Sequence, residues 1–113
     1  MHELSIAESL ISIVEEEVAR HSLQNVTSVK IKVGKLTAVQ PEALSSCFEL
    51  LTENSSLNGV WLDIEMLPIK GYCEDCRQHF ELERPFLVCP KCQGWNVRME
   101  GGHELYVDEI ETA

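Results

Sequence analysis

The sequence has little positive charge. Nine Lys and Arg stand against nineteen Asp and Glu, for a formal net charge of −10. A chain this acidic is repelled by the nucleic-acid backbone unless it gathers a local basic patch. Around the cysteines, Arg77, Arg84, Lys91 and Arg98 are interleaved with Glu74, Asp75, Glu81 and Glu83, so no such patch forms in the sequence. A nucleic-acid-binding ribbon needs a basic face with aromatic side chains, and the charge balance opposes this. Long apolar runs are missing, so no segment approaches the ~18 residues of a membrane span. The start has no basic stretch followed by an apolar one, so no secretory signal is read and the expected compartment is the cytoplasm, where thiols stay reduced. There is no H-E-x-x-H, no Gly-rich phosphate loop and no Ser/His/Asp set in a recognisable context, which argues against an enzyme. The five cysteines are an odd number, which argues against a disulfide framework.

What is present is a paired motif. Cys73-x2-Cys76 and Cys89-x2-Cys92 are separated by twelve residues. Two thiol pairs at this spacing suit a tetrahedral Zn²⁺ site, with each pair forming a tight knuckle and the stretch between them returning the second to the first. Four cysteines fill all four positions of the metal, so the site is a structural staple without an open coordination position. Pro90 and Gly94 stand where the second knuckle should turn. Cys47, the fifth cysteine, reads as a small buried hydrophobe.

The rest of the chain reads as a small α+β domain. Leu4, Ala7, Ile11, Val14 and Val18 recur at helical steps over 3–21, widened by Leu10. Val29, Ile31 and Val33 alternate with Ser28, Lys30 and Lys32 in a strand over 26–36. Pro41 suits the first turn of a second helix, which carries Leu44, Cys47, Phe48 and Leu51 to about Glu53. Val60, Leu62, Ile64 and Met66 mark a second strand, and Pro68 and Gly71 a linker into the cysteine module. Gly101-Gly102 is a hinge out of it. Leu105, Val107 and Ile110 mark a third strand whose alternation slips, which predicts a bulge or an early end. The expected fold is a three-stranded sheet covered by two helices, with an inserted four-cysteine zinc-ribbon module. The expected domains are 1–69 plus 102–113, and 70–101.

The chain opens Met1-His2-Glu3. A free α-amine, the His2 amide nitrogen and the His2 imidazole form fused chelate rings, a nitrogen-rich planar set that suits Ni²⁺ or Cu²⁺. The bland alternative is a histidine at a frayed terminus that helps to cap the helix.

Taken together, these motifs resemble the HypA/HybF family of hydrogenase nickel-incorporation proteins. The resemblance rests on Met1-His2-Glu3-Leu4-Ser5, on Val29–Gly34 leading into Val39-Gln40-Pro41-Glu42 and Phe48, on the two Cys-x2-Cys pairs, and on Gly102-His103-Glu104-Leu105 with Ile110-Glu111. It covers essentially the whole chain. It implies a nickel metallochaperone with cargo Ni²⁺ at Met1, His2 and Glu3, and structural Zn²⁺ at Cys73, Cys76, Cys89 and Cys92. It also implies delivery to the [NiFe]-hydrogenase large subunit with a HypB-type GTPase, and in some organisms to urease maturation proteins. His103 is an additional nickel-ligand candidate, and His79 lies near the zinc module. Some relatives have an acidic residue near the start of the second helix, where this chain reads Val39-Gln40-Pro41. The rival reading is a zinc-ribbon adaptor or nucleic-acid-binding module with no role in metal delivery.

Overall fold

The computed structural model of the protein describes residues 2–113. The chain divides into two compact units. One takes the residues through Lys32 with Val39–Glu65 and Tyr106–Ala113, and the other takes Val33–Ala38 and Met66–Leu105.

In the first unit, helix α1 spans Glu3–His21 and helix α2 spans Pro41–Thr52. The buried stripe of α1 is Glu3, Ala7, Leu10 and Val14. These steps of four, three and four follow the helical repeat. They displace the expected Leu4, which is 47% exposed because Glu3 takes its place on the inner face. Ser22 ends the helix in the left-handed conformation, with its N–H donated to the Val18 carbonyl. Pro41 opens α2 as expected. Its inner stripe is Leu44, Phe48 and Thr52, and Leu51 is exposed. Thr52 can be buried because its hydroxyl donates to the Phe48 carbonyl at 2.8 Å. Cys47 is half-buried rather than enclosed.

Strands β1 (Val26–Gly34), β2 (Trp61–Leu67) and β6 (Leu105–Thr112) form one sheet in the order β2-β1-β6. Val29 and Ile31 are fully buried, and Leu62 of β2 is nearly so. Each aliphatic or aromatic side chain taken from water in this way contributes about 1.5–3 kcal/mol. The other face of the sheet is polar. Lys30 and Lys32 meet Glu65 at 3.5 and 4.0 Å, and Lys32 also reaches Asp108 at 4.0 Å. Asp108 reaches Lys32, and Glu111 accepts from the Ser28 hydroxyl at 2.8 Å, so both acids lie on this polar face although they are three residues apart. The alternation therefore slips by one between them, and the strand continues to Thr112 without an early end.

The second unit holds three strands that the sequence pattern did not resolve. These are β3 (Ile69–Cys73), β4 (Gln78–Leu82) and β5 (Val97–Gly101), in the order β4-β3-β5 with both pairings antiparallel. The stretch read as a linker from Pro68 is thus the central strand, with Ile69 and Gly71 buried. Gly71 is required by packing. A Cβ there would lie 2.5 Å from the Phe80 ring. The expected hinge is a close backbone crossing. The Gly34 N–H donates to the Glu104 carbonyl at 2.7 Å, and the Leu36 N–H to that of Gly102 at 2.8 Å. Gly102 has φ +121, a region that favours glycine.

Candidate metal centre

Each cysteine pair sits in the same local structure. The N–H of Arg77 donates to the Cys73 carbonyl at 2.8 Å, and that of Gln93 to the Cys89 carbonyl at 2.8 Å. Arg77 and Gln93 both adopt left-handed conformations, with φ 58 and φ 61. The second cysteine of each pair points its N–H at the first one's sulfur: Cys76 to Cys73 Sγ at 3.3 Å, and Cys92 to Cys89 Sγ at 3.5 Å. Two copies of one tight turn therefore present four sulfurs to one point. Gly94, expected as a turn residue, closes the second knuckle: its carbonyl accepts the Cys89 N–H at 3.0 Å, its own N–H donates to Cys92 Sγ at 3.4 Å, and a Cβ there would crowd that sulfur at 3.2 Å.

The four sulfurs lie within 4.8 Å of one another. Cys73 and Cys92 are 3.7 Å apart, and Cys76 and Cys89 are 3.8 Å apart. A tetrahedral zinc with Zn–S bonds of ~2.3 Å has sulfurs about 3.8 Å apart, so the donor set fits that ion. Cys73 and Cys89 are buried, Cys76 is half-buried and Cys92 is exposed. The thiols cannot all ionise together without a cation. The N–H of Cys92 draws the Cys89 thiol down to about 6, and the thiol contact with Cys92 pushes Cys76 up to about 12. A divalent ion would hold all four as thiolates, with the remaining protons released on binding.

Among the described residues, neither His79 nor His103 joins this group. His79 lies on β4 opposite Tyr72 of β3, with ring centroids 4.9 Å apart. Its Nδ1 is 2.7 Å from Glu100 on β5, and Arg98 stacks on the other partner, 4.7 Å from the Tyr72 ring centre. His103 is exposed and follows Gly102.

At the amino-terminal end, Met1 lies outside the described residues. His2 occupies the N-cap position of α1, yet its side chain makes no capping bond. The Ile6 N–H and the Ser5 hydroxyl instead take the His2 carbonyl, at 3.1 and 3.0 Å. The imidazole is exposed and is not the cap that a bland reading assigns to it. Glu3 is 6% exposed, and its carboxylate accepts the Gln40 N–H at 3.1 Å, tying the start of α1 to the N-cap of α2. No pattern in the sequence announced this contact, since a glutamate after His2 suits a helix start equally well in solvent. The Gln40 N–H, followed by the residue's own N–H, holds the Glu3 carboxyl below its ordinary 4.5.

A depressed carboxylate stabilises the fold above its unfolded pKa, and that contribution is lost as pH falls through the folded value. Glu3→Gln should therefore be less stable than the parent at neutral pH, with the gap closing below about pH 4. Urea midpoints at pH 7 and pH 3.5 check this. A gap that stays constant would mean the charge of Glu3 does not matter.

Residues 1–112 match the family described as "Hydrogenase/urease nickel incorporation, metallochaperone, hypA". The chain is 41% identical to the hydrogenase maturation factor HypA of Solidesulfovibrio magneticus, with 98% of each covered. It is 33% identical to the protein of that name from Dehalococcoides mccartyi, over 99% of this chain and 94% of the relative. Among solved structures it resembles the solution structure of the Ni metallochaperone HypA from Helicobacter pylori, with a TM-score of 0.67 and 29% identity, covering 99% of this chain and 97% of the other.

Proposed function

From its membership of the HypA family of hydrogenase and urease nickel-incorporation metallochaperones, we propose that this protein carries Ni²⁺ at its amino terminus and delivers it to the [NiFe]-hydrogenase large subunit. Residues 1–69 with 102–113 handle the cargo, and 70–101 are held by Zn²⁺ at Cys73, Cys76, Cys89 and Cys92. The protein acts as a carrier rather than a catalyst, works in the cytoplasm, and passes nickel on with a HypB-type GTPase. Urease maturation proteins are a second class of recipient.

The observation that carries this reading is the state of His2. The residue most able to chelate is exposed, and the helix it begins does not use its imidazole. Met1 supplies its amine, and His2 supplies its amide nitrogen and imidazole. Glu3 contributes its own amide, while its carboxylate braces the segment against Gln40. Nitrogen donors of this kind suit Ni²⁺. They must be deprotonated to bind, so acid weakens the hold on the cargo. His103, exposed beyond Gly102, is an additional ligand in this scheme.

The nature of the donors is testable by nickel-edge X-ray absorption of the zinc-loaded chain with a native amino terminus. The expected shell contains nitrogen and oxygen alone. Sulfur in the nickel shell would move the cargo to the cysteines.

A second reading, an adaptor role for the zinc module, is favoured by its exposed apolar side chains. Phe86 is 71% and Trp95 84% exposed, and both border one cleft with Leu82 and Val88.

A further inference from the structure

Strand β2 lies at an edge of its sheet, so among the described residues one side of its backbone has no strand partner. A cleft bordered by Pro41, Glu42 and Ser45 of α2 runs beside Trp61–Ile64 of β2. A neighbouring cleft shares Ser45, Trp61 and Leu62 and continues past Phe48 and Glu49. The two form one trough. Side chains from both faces of the strand border it, exposed Trp61 and Asp63 from one and Leu62 and Ile64 from the other. The trough therefore follows the edge of the strand and does not lie over a face.

We propose that this edge takes an extended, basic segment of a partner protein as an added strand, with α2 forming the far wall. Main-chain hydrogen bonds supply affinity in such additions, and alternate side chains supply specificity. Charge selects the occupant. Glu42, Glu49 and Asp63 border the trough, and among the described residues none of them is in a close ion pair, although the Asp63 charge acts on Lys30 of β1 at longer range. The opposite edge differs: Asp108 of β6 meets Lys32, and Glu111 accepts from Ser28. A second copy of this chain fits poorly. Antiparallel pairing of two β2 strands about Ile64 sets Asp63 against Glu65 twice, and like charges directly opposite each other are destabilising. A segment with Lys or Arg at alternate positions neutralises the acids, and its apolar residues meet Trp61. The trough opens at Pro41, next to Gln40, whose N–H is held by Glu3. If the carrier reading holds, the docked segment lies beside the cargo end, but the docking itself does not depend on nickel.

The test uses the full zinc-loaded chain without nickel, so its outcome is independent of cargo binding. The probe is a seven-residue peptide of alternating Lys and Val, titrated against ¹⁵N-labelled protein. Saturable shifts are expected at the β2 amides, the α2 residues of the trough and the Trp61 indole. Methylating every interior peptide nitrogen should weaken binding about tenfold or more by removing the strand hydrogen bonds. Glu42→Gln with Asp63→Asn should weaken it about fivefold. Absence of saturable shifts at millimolar peptide, equal binding of the methylated peptide, or shifts confined to β6 or the second unit would overturn the proposal.

Discussion

Replacing Cys89 by Ser is expected to cost the second unit its sheet while leaving the first unit folded. The cause is the size of the core that remains. In the second unit, the buried side chains include Val33, Ile69, Cys73 and Cys89, so two of the proposed zinc ligands are themselves core residues. A core this small does not offset the conformational entropy of ordering about forty residues, at about 1–2 kcal/mol for each backbone. Structural zinc contributes about 10–16 kcal/mol in small cysteine-ligated modules, and a serine hydroxyl does not replace a thiolate as a zinc ligand at neutral pH. The Cys89 sulfur also accepts the N–H groups of Lys91 and Cys92 at 3.4 and 3.5 Å, which favour its thiolate. The first unit keeps Ala7, Leu10, Val14, Val29, Ile31, Leu44, Phe48 and Leu57 in its own core. Amide exchange should show β3, β4 and β5 unprotected in Cys89→Ser, with α1 and α2 still protected. Chelating the metal from the parent should give the same pattern. Protected β3 amides in the metal-free chain would show that the sheet stands without the ion.

Several features were legible from residue spacing alone. The period-two run from Val29 to Val33 placed β1, and the helical repeat placed α1. Two Cys-x2-Cys pairs implied one metal site, and the sulfurs do converge. The failures have physical reasons. Ile69–Cys73 carries Gly71 and follows Pro68, so local turn chemistry hid a strand that exists because β4 and β5 flank it. Its Gly71 admits the Phe80 ring, a tertiary demand invisible in the local pattern. Leu4 and Leu51 fitted apolar stripes, yet Glu3 and Thr52 took the inner positions because each found a hydrogen-bond partner there. A pattern that scores hydrophobicity alone cannot place a polar residue whose partner lies thirty-seven positions away, as Gln40 does from Glu3. The slip in β6 was visible, but its resolution was not: whether a broken alternation is a bulge or an end depends on the neighbouring strand, here on Lys32 and Ser28.

Equilibrium dialysis of the zinc-loaded chain, with a native, untagged amino terminus, against Ni²⁺, beside His2→Ala, tests whether the cargo sits at the amino terminus. The substitution removes the imidazole and disturbs little else, because that side chain makes no capping bond and the Ser5 and Ile6 contacts use the His2 carbonyl. Losing one nitrogen of a fused chelate should weaken nickel by about a hundredfold or more, at ~1.4 kcal/mol per tenfold. Zinc content and the amide protection of β3–β5 should not change. One tight Ni²⁺ per chain in the parent, lost in His2→Ala with zinc retained, is the expected result. Undiminished nickel binding in His2→Ala would place the cargo away from the amino terminus.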